Sequence, residues 1–489
     1  MSEHLSSGDL VILNYRLAAS LLSLLATLAA PGPAAAAPTM RTCHLPGAEE
    51  GLRCSTLSVP LDYQQKTGAA LPLHVIVAPA FRESARPDPV FVLAGGPGQA
   101  GSDVLPVLYS IFRRARATRD IVFIDQRGTG LSGKLDCDEK DLPENLSDDE
   151  QNAAIRRCLA GIRAPLAAYT TDNAARDIEQ VRLALGYARV NVWGASYGTR
   201  LAQAYARAFP DAVRSLMLDG VAAPDQIIPA AGRDGQAALD TLFRQCAADP
   251  GCNKAYPALR SEFDSLLAKV SATPVPLNLP NPRTAEPLQM SMTKERFLNT
   301  VHNVLYSALD GRRLPFLIHS AYQGRWAPFV ARRNVGADLA GEDGTALVLH
   351  MAVICAEDYP RMTPQLLAED ATNSFLGSGR VGQLMEQCKS LKLPAVPWRA
   401  PTPILAPSLL LSGALDPVTP PRRAEAAARH IPKAQHLVVA NAGHGISSLG
   451  CAPRLLREFL DAPARQVVAA CLNEIPAANF QVGSAGPHP

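Results

Sequence analysis

The sequence has 489 residues, 47% of them hydrophobic, and its 47 Lys and Arg residues nearly balance its 45 Asp and Glu residues, for a net charge of +2. This hydrophobic content excludes a disordered chain. The length is sufficient for one large core with an insertion or for about three domains. Because no basic block is present to hold a phosphate backbone, no nucleic-acid partner is expected.

The N-terminal segment has the pattern of a secretory signal peptide. An apolar run from Leu17 to Ala30 is followed by the mostly small residues of the stretch 31–37, which is typical of a cleavage site. The run is too short for a membrane-spanning helix. We therefore predict that residues 1–37 are a signal peptide, that the mature protein is secreted or periplasmic, and that it has no stable insertion in a membrane.

Ten cysteines follow the predicted signal peptide, and export would place them in an oxidising compartment where disulfides form. They allow about 945 pairings. Buried free thiols are the alternative to disulfides, and a zinc site has little support because no Cys-x-x-Cys motif has His partners. Our hypothesis joins the cysteines that are nearest in sequence: Cys43 with Cys54, Cys137 with Cys158, Cys246 with Cys252, Cys355 with Cys388, and Cys451 with Cys471.

From about residue 55, strand patterns alternate with helix patterns. Short β-branched or aromatic runs that end in Gly or Pro predict buried strands, and apolar residues at spacings of three and four predict amphipathic helices. Strands that alternate with helices in this way form parallel βαβ units. The predicted elements are strands over 71–78, 89–94 and 121–125, a helix over 172–186, a strand over 190–193, a helix over 197–209 and a strand over 215–218.

The alternation stops near residue 221 and resumes near residue 400. Between these points helical patterns dominate, and Pro-rich connections join them. The predicted elements here are helices over 239–247, 294–309 and 345–355, followed by a strand over 408–411, a helix over 422–430 and a strand over 436–439. The prediction is one α/β core in two sequence pieces, 38–220 and 401–489, with a helical cap inserted over 221–400.

The clearest chemical motif is Gly194-Ala195-Ser196-Tyr197-Gly198, between a predicted strand and a predicted helix. Its small residues permit the tight turn that exposes a serine hydroxyl. A serine becomes a nucleophile when an imidazole accepts its proton and a carboxylate orients that imidazole. Asp416 and His444 each follow a predicted strand, in the chain order Ser, Asp, His, which predicts a triad of these three residues. The alternative is a glycine-rich turn and a histidine without partners.

A reaction at Ser196 would also need two N–H donors for the oxyanion. The backbone amides of Gly96 and Tyr197 are the candidates, because Gly96 lies in a glycine-rich loop after a predicted strand and Tyr197 follows the serine. Pro97 has no N–H and cannot donate. The loop lacks both the spacing of a dinucleotide-binding motif and the lysine of a P-loop, so it is not interpreted as a phosphate site.

Further motifs are spread along the chain. They are Val59-Pro60-Leu61-Asp62-Tyr63, Gly95-Gly96-Pro97-Gly98, Asp125-Gln126-Arg127-Gly128-Thr129-Gly130, Gly194-Ala195-Ser196-Tyr197-Gly198-Thr199-Arg200, and the segments around Asp416 and His444. Together they resemble the secreted α/β-hydrolase peptidases related to prolyl iminopeptidase, and more closely their tripeptidyl aminopeptidase-like branch. The resemblance extends from about residue 43 to the C-terminus. It implies an α/β-hydrolase fold, a mostly parallel sheet flanked by helices, with a helical cap between the two core segments.

Members of this family remove residues from free N-termini, and the resemblance implies that an acidic residue of the cap binds the ammonium group of the substrate. The matching segment contains Glu357, the first candidate, and Asp358, the second. An ordinary surface carboxylate at a helix end is the alternative for Glu357. Asp125 and Arg127 are interpreted as structural supports for the oxyanion loop.

The predicted function is that of an exported serine exopeptidase, which releases short peptides or single residues from peptide substrates with a free N-terminus through an acyl-enzyme on Ser196. This chemistry requires no cofactor and no metal. A secreted esterase or lipase-like hydrolase with the same triad is the first alternative, since the cap determines which acyl group fits. A non-catalytic binding protein on a hydrolase scaffold is the second. No oligomeric state is predicted.

Overall fold

The computed structural model describes residues 38–65, 68–137, 146–282, 284–333 and 344–487. The predicted signal peptide, residues 1–37, lies outside the described residues. The described residues within the range 37–489 belong to one compact unit. None of the helices in the described part of the chain has the length and apolar character needed to cross a membrane.

The strands, in chain order, are β1 (Arg41–Cys43), β2 (Leu52–Pro60), β3 (Ala70–Ala78), β4 (Val90–Leu93), β5 (Ile121–Ile124), β6 (Val190–Ala195), β7 (Val213–Asp219), β8 (Val275–Pro280), β9 (Pro287–Met292), β10 (Ser408–Gly413), β11 (Ala434–Val439), β12 (Gln481–Gly483) and β13 (Gly486–Pro487). The α-helices are α1 (Val107–Ser110), α2 (Arg113–Arg116), α3 (Asp148–Gly161), α4 (Thr171–Ala184), α5 (Tyr197–Ala208), α6 (Gly232–Ala248), α7 (Pro250–Ala255), α8 (Leu259–Ala272), α9 (Lys294–Val304), α10 (Ala308–Gly311), α11 (Leu314–Tyr322), α12 (Ala327–Val330), α13 (Leu347–Val353), α14 (Pro364–Ala371), α15 (Gly379–Leu391), α16 (Pro421–Ala428) and α17 (Ala452–Asp461).

The main sheet has the strand order β1-β2-β3-β5-β4-β6-β7-β10-β11. Strands β1, β2, β3 and β5 pair antiparallel, and the remaining neighbours pair parallel. The sheet is therefore mostly parallel with an antiparallel edge, which confirms the predicted fold class. Because parallel strands end at the same edge of a sheet, the loops that leave β4, β6, β7, β10 and β11 begin close together.

Strand β4 shows why this sheet is buried on both faces. All four of its residues are buried. Phe91 and Leu93 share a hydrophobic cluster with apolar residues of α4 and α5, whereas Val90 and Val92 share another with residues of α2 and α17. A continuous apolar run of this kind is what a central parallel strand needs, because helices cover both of its faces.

The segment between β7 and β10 is mainly helical and has a hydrophobic core of its own. Phe263, Phe297 and Phe329 belong to that core, and the rings of Phe297 and Phe329 stack with centroids 5.2 Å apart. An antiparallel hairpin of β8 and β9 also occurs in this segment and was not predicted. Helices α13 and α15 of this segment contribute buried residues to the core of the main sheet, among them Val348, Ala352 and Cys388.

The C-terminal hairpin, formed by β12 and β13, packs on the cap. Phe480 is buried in the cap core, and the guanidinium of Arg312 lies 4.2 Å from the centroid of its ring. The N–H of Gln481 donates to the carbonyl of Arg312 at 3.1 Å, and the hydroxyl of Tyr256 donates to the carbonyl of Gln481 at 3.0 Å. The chain thus returns to the cap after it has completed the sheet.

Five disulfides join the pairs that are nearest in sequence, which confirms the predicted pairing. They are Cys43–Cys54, Cys137–Cys158, Cys246–Cys252, Cys355–Cys388 and Cys451–Cys471. No cysteine of the described ranges is left free. So many disulfides are typical of a protein that folds in an oxidising, extracytoplasmic compartment.

Candidate active site

Ser196 lies in a tight turn between β6 and α5. Its backbone has φ 54° and ψ −123°, a conformation that side chains rarely adopt. Glycines make the turn possible: a Cβ on Gly194 would lie 2.3 Å from the carbonyl oxygen of Gly198, and a Cβ on Gly198 would lie 2.2 Å from that of Leu93. The Ser196 N–H donates to the carbonyl of Asp219 at 2.9 Å. A strained strand-to-helix turn of this kind presents a nucleophilic serine.

Asp416 follows β10, His444 follows β11, and their side chains meet. Oδ2 of Asp416 lies 2.7 Å from Nδ1 of His444. The hydroxyl of Thr419 donates to the same carboxylate oxygen at 2.7 Å and lies 3.0 Å from Nδ1. The other oxygen of Asp416 accepts from the N–H groups of Val418 and Thr419, at 2.9 and 2.8 Å. When Nδ1 carries the proton, it donates a hydrogen bond to the carboxylate of Asp416. The lone pair of Nε2 is then available to accept a second proton.

Burial and pairing together determine the protonation of Asp416 and His444. Burial opposes ionisation of Asp416, but the neighbouring imidazole and the N–H donors outweigh it and lower the pKa of Asp416 below its usual value. Burial also opposes a charge on His444, but the Asp416 carboxylate outweighs it and raises the pKa of His444 above its usual 6.5. The carboxylate is therefore ionised and the imidazole is a stronger base than an isolated one.

Asp219, at the end of β7, connects the serine turn with the histidine loop. Its backbone carbonyl accepts from the Ser196 N–H, while its buried carboxylate accepts from the N–H of Ser447 at 2.7 Å and from that of Ile446 at 2.8 and 3.0 Å. Sequence reasoning missed this residue and also missed Thr419. The position of Asp219 at the end of β7, at the edge of the sheet where the triad residues were expected, could have indicated it. Thr419 follows Asp416 by three residues, which is a local turn signal.

The glycine-rich loop after β4 packs against Ser196. A Cβ on Gly95 would lie 3.2 Å from the Cβ of Ser196, so the loop passes at van der Waals distance from the serine. Gly96 follows with φ 103°, a left-handed conformation that favours glycine. Tyr197 is the first residue of α5, and first-turn amides have no acceptor within their own helix. Both predicted oxyanion donors thus belong to segments adjoining Ser196.

Asp125 and Gln126 hold the two ends of this glycine-rich loop. The carboxylate of Asp125 accepts from the N–H of Ser102 at 2.7 Å and from that of Leu131 at 2.9 Å. The side-chain amide of Gln126 donates to the carbonyl of Ala94 at 3.1 Å. Asp125 therefore supports the loop as expected, together with Gln126, which was not singled out.

Arg127 has a different role from the one expected. Nε and Nη2 of its guanidinium donate to the two carboxylate oxygens of Asp177 in α4, at 2.6 Å each. It also donates to the carbonyls of Leu61 and Ala168, at 2.8 Å each. All of these partners lie at the end of β2 and around α4, so Arg127 fastens that region and not the oxyanion loop.

Glu357 lies in a π-helical turn, Ile354–Asp358, directly after α13. Its carboxylate accepts from the N–H of Thr171 at 2.6 Å and from the Thr171 hydroxyl at 2.7 Å. That hydroxyl also lies 2.8 Å from the hydroxyl of Tyr197. Burial raises the pKa of Glu357, with Arg200 acting against it. The side chain is only 13% exposed, so the alternative of an ordinary surface carboxylate is wrong.

Asp358, the second candidate for the substrate amine, is fully buried. Its Oδ1 accepts from Arg200 at 3.0 Å and from Arg361 at 2.8 Å, and its Oδ2 accepts from the N–H of Ile228 at 3.0 Å. Both oxygens are engaged and neither reaches solvent. The expectation that Asp358 binds a substrate amine is therefore corrected: this carboxylate anchors the π-helical turn through two arginines.

Glu357 borders a groove of about 1080 Å³ between the start of α4, helix α5 and the segment 394–402. Among the described residues that line this groove, none is a member of the predicted triad. In the part of the chain that the structure describes, no group of three or more His, Cys, Asp or Glu side chains is arranged to hold a metal ion.

The mostly parallel sheet, the strained serine turn and the paired Asp416 and His444 define a serine hydrolase of the α/β-hydrolase class. Residues 88–450 match the family described as alpha/beta hydrolase fold, and the chain belongs to this family.

Three proteins to which the chain is similar in sequence have peptidase names. The chain is 27% identical over 410 residues to the serine protease Hip1 of Mycobacterium tuberculosis, a match that covers 76% of this chain and 77% of that protein. It is 28% identical over 194 residues to the tripeptidyl aminopeptidase of Streptomyces coelicolor, covering 36% of each chain. It is 32% identical over 145 residues to the proline iminopeptidase of Neisseria gonorrhoeae, covering 29% of this chain and 36% of that one. The resemblance inferred from the motifs is confirmed.

Proposed function

We propose that the protein is an exported serine exopeptidase that releases short peptides or single residues from free N-termini. The observation that carries the proposal is the 2.7 Å contact between Asp416 and His444 beside the strained turn at Ser196. The relatives named as a serine protease, a tripeptidyl aminopeptidase and a proline iminopeptidase support a peptide as the substrate.

In the proposed reaction, Nε2 of His444 accepts the hydroxyl proton as Oγ of Ser196 attacks the scissile carbonyl. The amides of Gly96 and Tyr197 donate to the oxyanion of the tetrahedral intermediate. Asp416 stabilises the imidazolium, which then gives its proton to the leaving amine. Water enters, loses a proton to His444, and hydrolyses the acyl-enzyme. The second product leaves as an acid, and Ser196 regains its proton.

We assign the ammonium group of the substrate to Glu357. Asp358 has no free oxygen, whereas the carboxylate of Glu357 retains some exposure at the border of a groove. Its link through Thr171 to Tyr197, the residue after Ser196, supports an effect of a ligand at Glu357 on the reacting centre. A cation at this carboxylate would also offset the desolvation that raises its pKa.

The proposal also includes export of the protein from the cytoplasm. The five disulfides support folding in an oxidising compartment, and residues 1–37 would be the cleaved signal peptide. Mass spectrometry of the protein recovered outside the cytoplasm should find a chain that begins near residue 38. A mature chain that retains the leader would contradict cleavage there.

A substrate panel tests the activity. It contains p-nitroanilides of single residues, dipeptides and tripeptides, each with a free and with an acetylated N-terminus, together with short-chain p-nitrophenyl esters. We expect turnover of the free-amine anilides and little turnover of the acetylated ones. Hydrolysis of the esters alone would favour the esterase alternative. A folded protein that cleaves nothing and is not labelled by a fluorophosphonate would be the non-catalytic binding protein.

A further inference from the structure

The cap contacts the histidine of the proposed triad through Tyr306. Tyr306 lies between α9 and α10 of the cap, whereas His444 follows β11 of the sheet. The backbone N–H of His444 donates to the carbonyl of Tyr306 at 2.7 Å. The two rings also meet edge to face, with centroids 5.2 Å apart and planes at 74°. One cap residue thus contacts both the main chain and the side chain of His444.

This close approach depends on Gly443. A Cβ at that position would lie 2.2 Å from the carbonyl oxygen of Tyr306 and 3.1 Å from the nitrogen of Ala308. The φ of Gly443 lies outside the left-handed region, so space and not backbone conformation requires a glycine there. Any larger residue would force the cap segment and the histidine loop apart.

Tyr306 is itself in contact with helix α9 of the cap. His302 of α9 packs on it edge to face, with ring centroids 5.5 Å apart. On its other side, His302 lies against α6, since a Cβ on Gly235 would be 3.2 Å from its ring. Burial lowers the pKa of His302 to about 3, so its ring is neutral and packs as part of the core. Tyr306 is therefore a fixed support for His444.

We infer that Tyr306 is a positioning residue for His444, so that the cap is needed to form the triad and not only to select the substrate. The inference rests on the proposed function. Asp416 and Thr419 contact the imidazole at Nδ1, and Gly220 lies against Cε1, where a Cβ would be 2.9 Å away. The ring of Tyr306 packs edge to face on the imidazole, and its carbonyl accepts from the backbone N–H of His444. In the inferred role, these contacts keep the imidazole in the orientation that the proposed triad requires.

The test measures how fast a fluorophosphonate labels Ser196 in the full chain, as a function of probe concentration. Labelling needs the Ser196–His444 pair but no peptide subsite. The variants are Tyr306→Ala, Tyr306→Phe and Gly443→Ala. The matched control is Leu309→Ala, because Leu309 lies in α10 of the same segment and is 58% exposed.

We expect the maximal labelling rate to fall about 10-fold in Tyr306→Ala and about 100-fold in Gly443→Ala, since a displacement of about 1 Å costs about 100-fold in rate. The probe concentration at half-maximal rate should stay the same. Tyr306→Phe keeps the ring and the carbonyl and should recover most of the rate. Leu309→Ala should label like the natural chain.

Folded Tyr306→Ala and Gly443→Ala proteins that label at the natural rate would overturn the inference and leave the proposed function intact. A change confined to the half-maximal concentration would also overturn it, because Tyr306 would then bind the probe. If Gly443→Ala does not fold, Tyr306→Ala decides the question. A natural chain that is not labelled at all would contradict the proposed function itself.

Discussion

Two buried carboxylates, Asp416 and Asp358, have opposite kinds of partner. Asp416 meets His444, which gains and loses a proton near neutral pH. Asp358 meets Arg200 and Arg361, which stay charged at all relevant pH values. The first pair can therefore move a proton, whereas the second can only hold its segment in place. Burial of a carboxylate does not by itself indicate catalysis, and these two sites are distinguished by the partners of the carboxylate and by their position in the fold.

Among the variants that test the proposed catalytic mechanism, Ser196→Ala should have the largest effect. Without the hydroxyl no acyl-enzyme forms, and we expect kcat on a free-amine tripeptide anilide to fall about 10⁶-fold. Circular dichroism should show a folded protein, because alanine also fits the turn. Activity within about 10-fold of the natural chain would remove Ser196 from the mechanism.

Asp416→Asn should have the next largest effect, a fall of about 10⁴-fold in kcat. The pH profile of kcat/KM should move as well. In the natural chain activity rises with pH as His444 loses its proton, and Asp416 holds the pKa of His444 above 6.5. Without that carboxylate burial dominates and lowers the pKa, so the midpoint of the rise should move to lower pH.

Asp358→Asn is the matched control for this variant. It makes the same chemical change at the other buried carboxylate, and leaves two arginines without their partner. We expect a loss of about 3 kcal/mol in the free energy of unfolding, measured by urea denaturation, while the midpoint of the pH profile stays in place. A shift of that midpoint equal to the one in Asp416→Asn would abolish the distinction between the two sites.

Glu357→Gln tests whether Glu357 binds substrate, as proposed, or has a structural role like its neighbour Asp358. We expect kcat/KM to fall about 100-fold on free-amine peptides, with little change on any acetylated peptide or ester that the enzyme cleaves. The ratio of the two rates is the measurement. Equal losses on both kinds of substrate would make Glu357 a support for the start of α4, like its neighbour.

Thr419→Val should have the smallest effect. The change keeps the shape of the side chain but removes the hydroxyl that donates to Asp416 and lies next to Nδ1 of His444. A hydrogen bond to a charged group contributes about 1.5 kcal/mol, so we expect kcat to fall about 10-fold with KM unchanged. Thr419→Ser, which restores the hydroxyl, should recover most of the rate. Full activity in Thr419→Val would show that the backbone donors alone suffice for Asp416.

The central strands could be predicted from the sequence because their signals are local, and the proposed triad rests on signals of the same kind. Strand β4 is a continuous apolar run, and Ser196 lies among small residues between a strand and a helix. Strand β2 was missed because it lacks the continuous apolar run by which the other strands were predicted. Strand β8 was missed because Pro276 and Pro280 argue against a strand.

The contacts of the candidate site that depend on distant parts of the chain could not be predicted. The burial of Asp358 follows from Arg200, 158 residues away in sequence. The contact of Tyr306 with His444 joins the cap to the sheet in the same way. Thr419 is different, because an Asp followed three residues later by a Thr is a local turn signal that could have been noticed.

The C-terminal hairpin limits how the enzyme can open. A cap joined only through β7 and β10, which are neighbours in the sheet, could swing as a flap about a single hinge. Here a third connection opposes this, since the Cys451–Cys471 disulfide fixes the preceding segment beside the sheet and Phe480 is buried in the cap. Swinging would pull Phe480 out of the cap at a cost of about 2 kcal/mol, which makes the open position less populated. Substrate is therefore expected to enter mainly while the cap stays in position.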